Sequence, residues 1–566
     1  MERLWLEGAV SWWVGSPEGA RRSRRVLVVF LVLVCVAVAI IGVPRLRVFG
    51  HDVFVSLDGG WRVLNGQRPA VDFYAQMGPV YYLLHAAGLW LAGYNARGLG
   101  YGSTIAVALI CGWAFVVLRP RMKAAPFFVA CLFLALLAAA PAPIGFTPFQ
   151  TAFAMKHNRY GFALTGLVLL ESFLPQDAGS RRQHFAGAFS TGLACALLLF
   201  LKISFGLVAL TLAAVSIPLR SGVRVRLAGL AAGFAAFSIP MMAYLRFDLP
   251  ALVREYQLLA GVKAGAVGVL DVVKRLYVDR LEIALVVLMA ALTSLLPGVP
   301  VRRRFTMMLV VAMAAVAGTL LLLTNSQPAG LPLLGAAALL VLNEVTVSVP
   351  AGSAPSHVAP LVAIGLLIIG IPMAVDAVGI AGAIGDKVLP GSPGYRFSEA
   401  HLASIEFVDC SLAVPSATCV PNDNGENFVR YTEEGIALVE AYGRPGESVR
   451  GMGMSNPFSF ATLRPPSHGG AVNLSKTNTS PTVMPPKERL IGDVALILTP
   501  KFPATEREAL ASILTYYPEL LGYDYIRVAE SPNWILYRRA NTGIGSGAGN
   551  PSHRTEDSPR QVAFRP

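Results

Sequence analysis

The chain has 566 residues, with 47 Lys and Arg against 34 Asp and Glu, a formal net charge of +13. Only 14% of residues are charged and 54% are apolar, and mean hydropathy is +0.56; a typical soluble domain carries about 25% charged residues. These values exclude a purely soluble globular protein and a disordered chain, and describe apolar spans joined to a watery remainder. Lys and Arg collect at the cytoplasmic ends of membrane spans, so the basic excess implies no nucleic-acid surface.

Residues 1–25 read as a cytoplasmic N-terminus ending in Arg21, Arg22, Arg24 and Arg25. The first apolar run, Val26 to Val43, holds no charge. Pro44-Arg45-Leu46-Arg47 follows it in place of a small-residue cleavage site, which argues for a span over a signal peptide. Further runs at 99–118, 124–141, 160–174, 185–201, 203–219, 227–245, 283–298, 306–323, 329–345 and 358–380 bring the expectation to about eleven spans. Arg119, Arg121 and Lys123; Arg181 and Arg182; Arg220, Arg224 and Arg226; and Arg302, Arg303 and Arg304 all fall on the cytoplasmic side if the N-terminus is inside. The loops 44–98 and 246–282 are then external, and so is everything after the last span. Residues 26–385 read as the transmembrane module of a multi-pass membrane protein.

Residues 386–540 have ordinary globular character. Val449 to Met454, Val494 to Pro500, Tyr525 to Glu530 and Trp534 to Arg538 read as strands, and Asn427 to Tyr442 and Ala504 to Leu521 as helices. The expectation is a small extracytoplasmic α/β domain followed by a disordered tail, 541–566. Cys35, Cys111, Cys131 and Cys195 sit in predicted spans. Cys410 and Cys419 lie in the external domain, where a disulfide is expected in an oxidising compartment, with two unpaired thiols as the alternative.

No Walker A loop, strand-to-helix GxGxxG, HExxH or CxxC pair is present, and the eight His are scattered singly. The spans carry few charges, Glu171 and Glu344 lying near cytoplasmic ends, so no proton-relay chain is evident. The informative segment is the first external loop, His51 to Tyr82. Asp52, Asp58 and Asp72 lie within 21 residues of one another. A helical stretch, Val55 to Leu64, is closed by Asn65-Gly66. A carboxylate held at a membrane surface can act as a base; a solvated loop whose Asp residues cap helices is the alternative.

This loop resembles the first external loop of GT-C glycosyltransferases, polytopic enzymes that use sugars linked to polyprenyl phosphate. Asn65-Gly66, Pro69, Asp72-Phe73 and Gly78-Pro79 fit the family frame, and Asp52 stands where the Asp of its Asp-Glu pair falls. Val53 replaces the Glu, so a divalent metal there would lack its second carboxylate; no metal ligand or other cofactor is assigned. The span number, the N-in/C-out layout and the external α/β domain are similar to the family as well, as is Lys202 in the turn Leu201-Lys202-Ile203.

The resemblance implies transfer of a sugar from a lipid-linked donor to an extracytoplasmic acceptor, with inversion. Asp52 is the first candidate for general base and Asp58 the second, while Asp72 orients the loop or binds acceptor. Lys156, Arg159, Lys202 and Lys263 are candidates to neutralise the phosphate of the leaving lipid, each having the alternative of snorkelling to the interface. Two other classes stay open: a non-catalytic relative that assists envelope assembly, and a transporter or flippase.

Overall fold

The computed structural model describes residues 17–175, 180–264, 268–325, 327–348, 359–389, 394–408, 425–474, 487–501 and 520–540. Each of the eleven predicted spans coincides with a helix: α1 (Pro17–Ile41), α4 (Gly98–Leu118), α5 (Ala124–Ala139), α6 (Lys156–Phe173), α7 (Arg181–Leu201), α8 (Ile203–Ser216), α9 (Val223–Tyr244), α12 (Arg280–Ser294), α13 (Val301–Thr324), α14 (Pro332–Ser348) and α15 (Ala359–Val388). Six of these, α1, α4, α7, α9, α13 and α15, are long and apolar enough to cross a membrane. They carry bare apolar side chains that only lipid would cover: Val29, Val32 and Leu33 on α1, Leu109 and Val116 on α4, and Ile371 on α15 are all more than half exposed. The chain is therefore a multi-pass membrane protein. In contrast, α6 and α14 are enclosed by other helices along most of their length.

Both long loops fold. The first makes α2 (Asp52–Leu64) and α3 (Pro79–Leu91), and the second α10 (Leu249–Ala264) and α11 (Val269–Val278). Asn65 follows α2, and Gly66 takes a φ of +80°, which glycine adopts without steric cost, so the helix ends where the sequence places its stop. Pro79 opens α3 at a position where its missing N–H costs nothing.

The C-terminal region supplies α16 (Gly425–Tyr442), α17 (Phe458–Ala461), α18 (Lys487–Ile491) and six strands. Strands β3 (Val449–Gly451), β4 (Leu496–Pro500), β5 (Tyr525–Glu530) and β6 (Trp534–Arg539) form a sheet in the order β3-β4-β6-β5. The β3–β4 pair is parallel and the other two pairs antiparallel, with Leu498 opposite Leu536. The four strand expectations and the helix ending at Tyr442 have counterparts here. The predicted helix at 504–521 falls almost wholly, and the 541–566 tail wholly, outside the described residues, as do Cys410 and Cys419.

The small sheet β1 (Tyr395–Arg396) and β2 (Glu406–Phe407) joins this region to the exit of α1. Leu46 N–H donates to the Glu406 carbonyl at 2.8 Å, and the Arg45 guanidinium lies 2.9 Å from the buried Glu406 carboxylate. The apolar core of the C-terminal region extends across this seam. It contains Val53, Phe54, Leu57 and Trp61 of α2 alongside Phe407, Phe428, Phe458, Leu496 and Leu536, with Phe54 stacked on Phe428 at 5.9 Å. Val55, on another face of α2, belongs to the core of the helix bundle.

Gly78 fixes how α3 meets the bundle. Its N–H donates to the Leu201 carbonyl at 2.9 Å, and a Cβ here would come within 2.0 Å of the Phe200 carbonyl oxygen. Because that neighbour is helix backbone, Gly78→Ala should force α3 away from the end of α7, costing about 1–3 kcal/mol as overpacking typically does. A lowered thermal unfolding midpoint of the purified protein in detergent would register it.

Candidate active site

Three segments distant in sequence meet at one end of the bundle: the N-terminus of α2, the start of α3, and the N-terminal turn of α6. Asp52 is the first residue of α2, where the helix dipole favours a negative charge. Its side chain is 23% exposed, and one carboxylate oxygen lies 3.2 Å from His51 Nε2. One turn on, Ser56 Oγ and Tyr81 Oη of α3 share a hydrogen bond of 2.8 Å. The Tyr81 ring packs edge-on against His85 at 4.5 Å and His157 at 5.3 Å. Burial pushes the Tyr81 phenol well above its usual value, and the nearby Asp52 charge pushes the same way. Burial, with Lys156 beside it, holds the His85 imidazole down to about 3, so His85 is neutral at physiological pH.

His157 leads to Lys202. The helices α7 and α8 are joined by this one residue, whose extended backbone caps both. Lys202 Nζ lies 3.2 Å from His157 Nε2 and donates to Asn158 Oδ1 at 3.4 Å and to Asn325 Oδ1 at the end of α13. Lys156 and Arg159 are directed elsewhere. Lys156 Nζ donates to the Ala140 carbonyl at 2.8 Å; Arg159 donates to the carbonyls of Ala142 and Leu137 at 2.5 and 3.0 Å. These carbonyls belong to the last turn of α5 and the residues just beyond it, where the helix dipole is negative and groups lack intrahelical partners. Arg159 also pairs with Asp376 of α15 at 3.0 Å. Lys202 thus touches the ring cluster through His157. The Lys263 side chain lies outside the described residues.

The other loop carboxylates are placed differently. Asp58 is fully enclosed, at 0% exposure. Its two oxygens accept from Arg62 Nε at 2.9 Å and from Asn456 Nδ2 at 3.1 Å. It faces the C-terminal region instead of sharing a cavity with Asp52. Arg62 in turn donates to Gln67 and to the carbonyls of Ser467 and Gly469. Asp72 accepts the Arg68 backbone N–H at 2.7 Å, and its own carbonyl accepts from Gly469 N–H. It caps the turn of its own loop. Val53 points into the apolar core. Among the described residues no three His, Cys, Asp or Glu side chains gather as a metal site.

Sequence reading missed several residues. Asp376 is a carboxylate inside the longest apolar helix, and that isolation was its available signal. Asn325 and Asn456 had none. Glu255 on α10 is likewise unmarked in sequence, yet it ties both loops to the C-terminal region. Its oxygens accept from Ala75 N–H at 2.5 Å and from Arg489 at 3.0 Å, and Arg489 also donates to the Ala70 carbonyl.

No protein-family model matches the chain, and no curated protein matches it. Among solved structures, the chain is similar to ArnT from Cupriavidus metallidurans. With the crystal structure of ArnT bound to undecaprenyl phosphate the identity is 14% and the TM-score 0.45, over 91% of this chain and 98% of that one. With the apo structure the values are 13% and 0.38, over 90% and 97%.

The Asp58–Arg62 pair gives a first test. Removing one partner of a buried ion pair leaves the other uncompensated, at a cost of about 3–5 kcal/mol. Asp58→Ala should therefore reduce folded yield and unfolding midpoint sharply, while Asp52→Asn leaves both unchanged in the same thermal assay. Glu255 gives a second. Burial pushes its carboxyl up from the ordinary 4.5 to about 8, against the pull of Arg489. A folded pKa above the unfolded one means its stabilising contribution is complete below about pH 4 and lost as pH rises through about 8. The unfolding midpoint should fall from pH 7 to pH 9, and Glu255→Gln should flatten that profile.

Proposed function

We propose that this chain is a GT-C-type membrane glycosyltransferase. It transfers a sugar from a polyprenyl-phosphate-linked donor to an acceptor on the outer side of a bacterial inner membrane, where the acceptor is a cell-envelope glycan, lipid or protein. In this reading the chain spans the membrane about eleven times, N-in and C-out, and the C-terminal region is external. Asp52 removes the proton of the acceptor hydroxyl, which attacks the anomeric carbon and inverts it. The lipid phosphate leaves toward Lys202, whose amine neutralises part of its charge.

The observation that carries this reading is the contrast among the loop carboxylates. Asp58 is enclosed by Arg62 and Asn456, and Asp72 is bound to the Arg68 backbone within its own turn. Asp52 is partly exposed at the start of α2, one turn before Ser56, whose hydroxyl shares a hydrogen bond with Tyr81; the Tyr81 ring packs on His157, which touches the Lys202 amine. A base and a cation on one polar seam between apolar helices are what transfer from an anionic lipid carrier requires. The second reading, a non-catalytic assembly protein, draws on Val53, whose burial among apolar side chains leaves Asp52 without an acidic neighbour on the helix.

The experiment compares lipid-linked intermediates and surface glycans in a deletion strain complemented with wild type, Asp52→Asn or Lys202→Gln. Loss of a working general base typically costs a factor of about 10² to 10⁴, so Asp52→Asn should accumulate donor and lose product at unchanged membrane expression. Near-parental product from Asp52→Asn would remove it from the base role. Unaltered glycans and intermediates in the deletion strain itself would leave the assembly reading in place of the enzyme.

A further inference from the structure

The opposite end of the bundle contains a large cleft that the proposed transfer does not use. It opens between α4 and α7, near the ends of α6 and α13, and has a volume of 1040 Å³, at the upper edge of the roughly 300–1,000 Å³ common for ligand sites. Its long wall is apolar, formed by Leu109, Val116 and Val117 of α4. Leu109 and Val116 are 60% and 70% exposed, so the opening lies on the lipid-facing surface of a membrane helix. Water is disfavoured along such a wall, and hydrocarbon fits it.

The inner end is polar and rigidly built. Trp113 Nε1 donates to Ser190 Oγ at 2.8 Å, and Ser190 Oγ donates to Glu171 at 3.0 Å. Glu171 is paired with Arg121 at 3.1 Å, and the buried Arg121 Nε has no hydrogen-bond partner. Arg303, which also lines the cleft, is paired with Glu344 at 2.8 Å. Arg119 follows α4, and Arg181 and Arg182 open α7, all three on the exposed surface. Arg121 and Arg303 line this end, each paired with a carboxylate, and the exposed Arg119, Arg181 and Arg182 stand next to the lining residues Pro120 and Gln183 at the adjoining ends of α4 and α7.

We propose that the cleft is a binding site for an anionic glycerophospholipid of the surrounding bilayer. One acyl chain lies along α4 against Trp113, and the phosphate sits among the arginines. An anionic headgroup is favoured by the three exposed arginines at these helix ends, since Lys and Arg near a membrane surface attract anionic lipid. Zwitterionic lipid, and the polyprenyl phosphate of the transfer reaction, are the competing occupants.

Trp113 reports occupancy directly. The full chain is reconstituted in phosphatidylcholine vesicles doped with phosphatidylglycerol bearing brominated acyl chains, or with equally brominated phosphatidylcholine. Brominated phosphatidylglycerol should quench tryptophan emission at roughly tenfold lower mole fraction, and Trp113→Phe should abolish that difference. Gly112→Phe should abolish it too, since a Cβ at Gly112 meets nothing within 4 Å and the ring can fill the cleft. Arg182→Gln with Arg119→Gln should weaken the preference several-fold. Equal quenching by the two lipids, or a preference that survives in Trp113→Phe, overturns the proposal. So does relief of quenching by undecaprenyl phosphate at lower mole fraction than by unbrominated phosphatidylglycerol. The readout involves no sugar transfer, so it fails or succeeds independently of the enzyme assignment.

Discussion

The Arg62 guanidinium is buried at 0% exposure, and the architecture outside the bundle is arranged around keeping it there. A buried cation is retained only where its charge is paired and its N–H groups are satisfied. Asp58, one helical turn away, supplies the charge. Gln67, Ser467 and Gly469 supply acceptors, and the Phe73 ring lies 5.2 Å from the guanidinium. These partners come from the first loop and from the C-terminal region, so the two cannot separate without stranding the charge. The helix that bears Asp52 is thereby fixed in position and direction, since the apolar faces of α2 are used on both sides.

Charge is distributed along the bundle in the same manner. Lys156, Arg159, Arg121 and Arg303 are each answered by helix-end carbonyls or by one carboxylate, Asp376, Glu171 and Glu344 among them. The contacts of the Lys202 amine include the amide oxygens of Asn158 and Asn325 and the His157 ring.

Each apolar run fell on a helix, because the signal is local and repeated. The stop at Asn65-Gly66 and the strands of the C-terminal region were also readable from local chemistry. Partnership between loop and domain was not. Asp52 and Asp58 are equivalent as residue types at similar depth in one loop, and what separates them is Asn456, nearly four hundred positions away. The apolar stripe Val53, Phe54, Leu57 and Trp61 could be seen as one face of a helix, but nothing in the sequence names the surface it covers. Asp376 escaped notice for the converse reason: one acidic residue barely alters an apolar run of thirty residues.

The shared core has a consequence for biosynthesis. Asp58 and Asn456 are 398 positions apart, and chains are synthesised at about 5–20 residues per second. The helix α2 is therefore complete for roughly 20–80 s before the residue that satisfies its buried carboxylate has been made. During that interval Phe54 lacks Phe428 and Trp61 lacks Phe460, and the Asp58–Arg62 pair is without Asn456. The element that positions everything else is among the first to be made and among the last to be locked, so a nascent chain halted before residue 456 presents an apolar helix to whatever chaperone or bilayer surface is nearest.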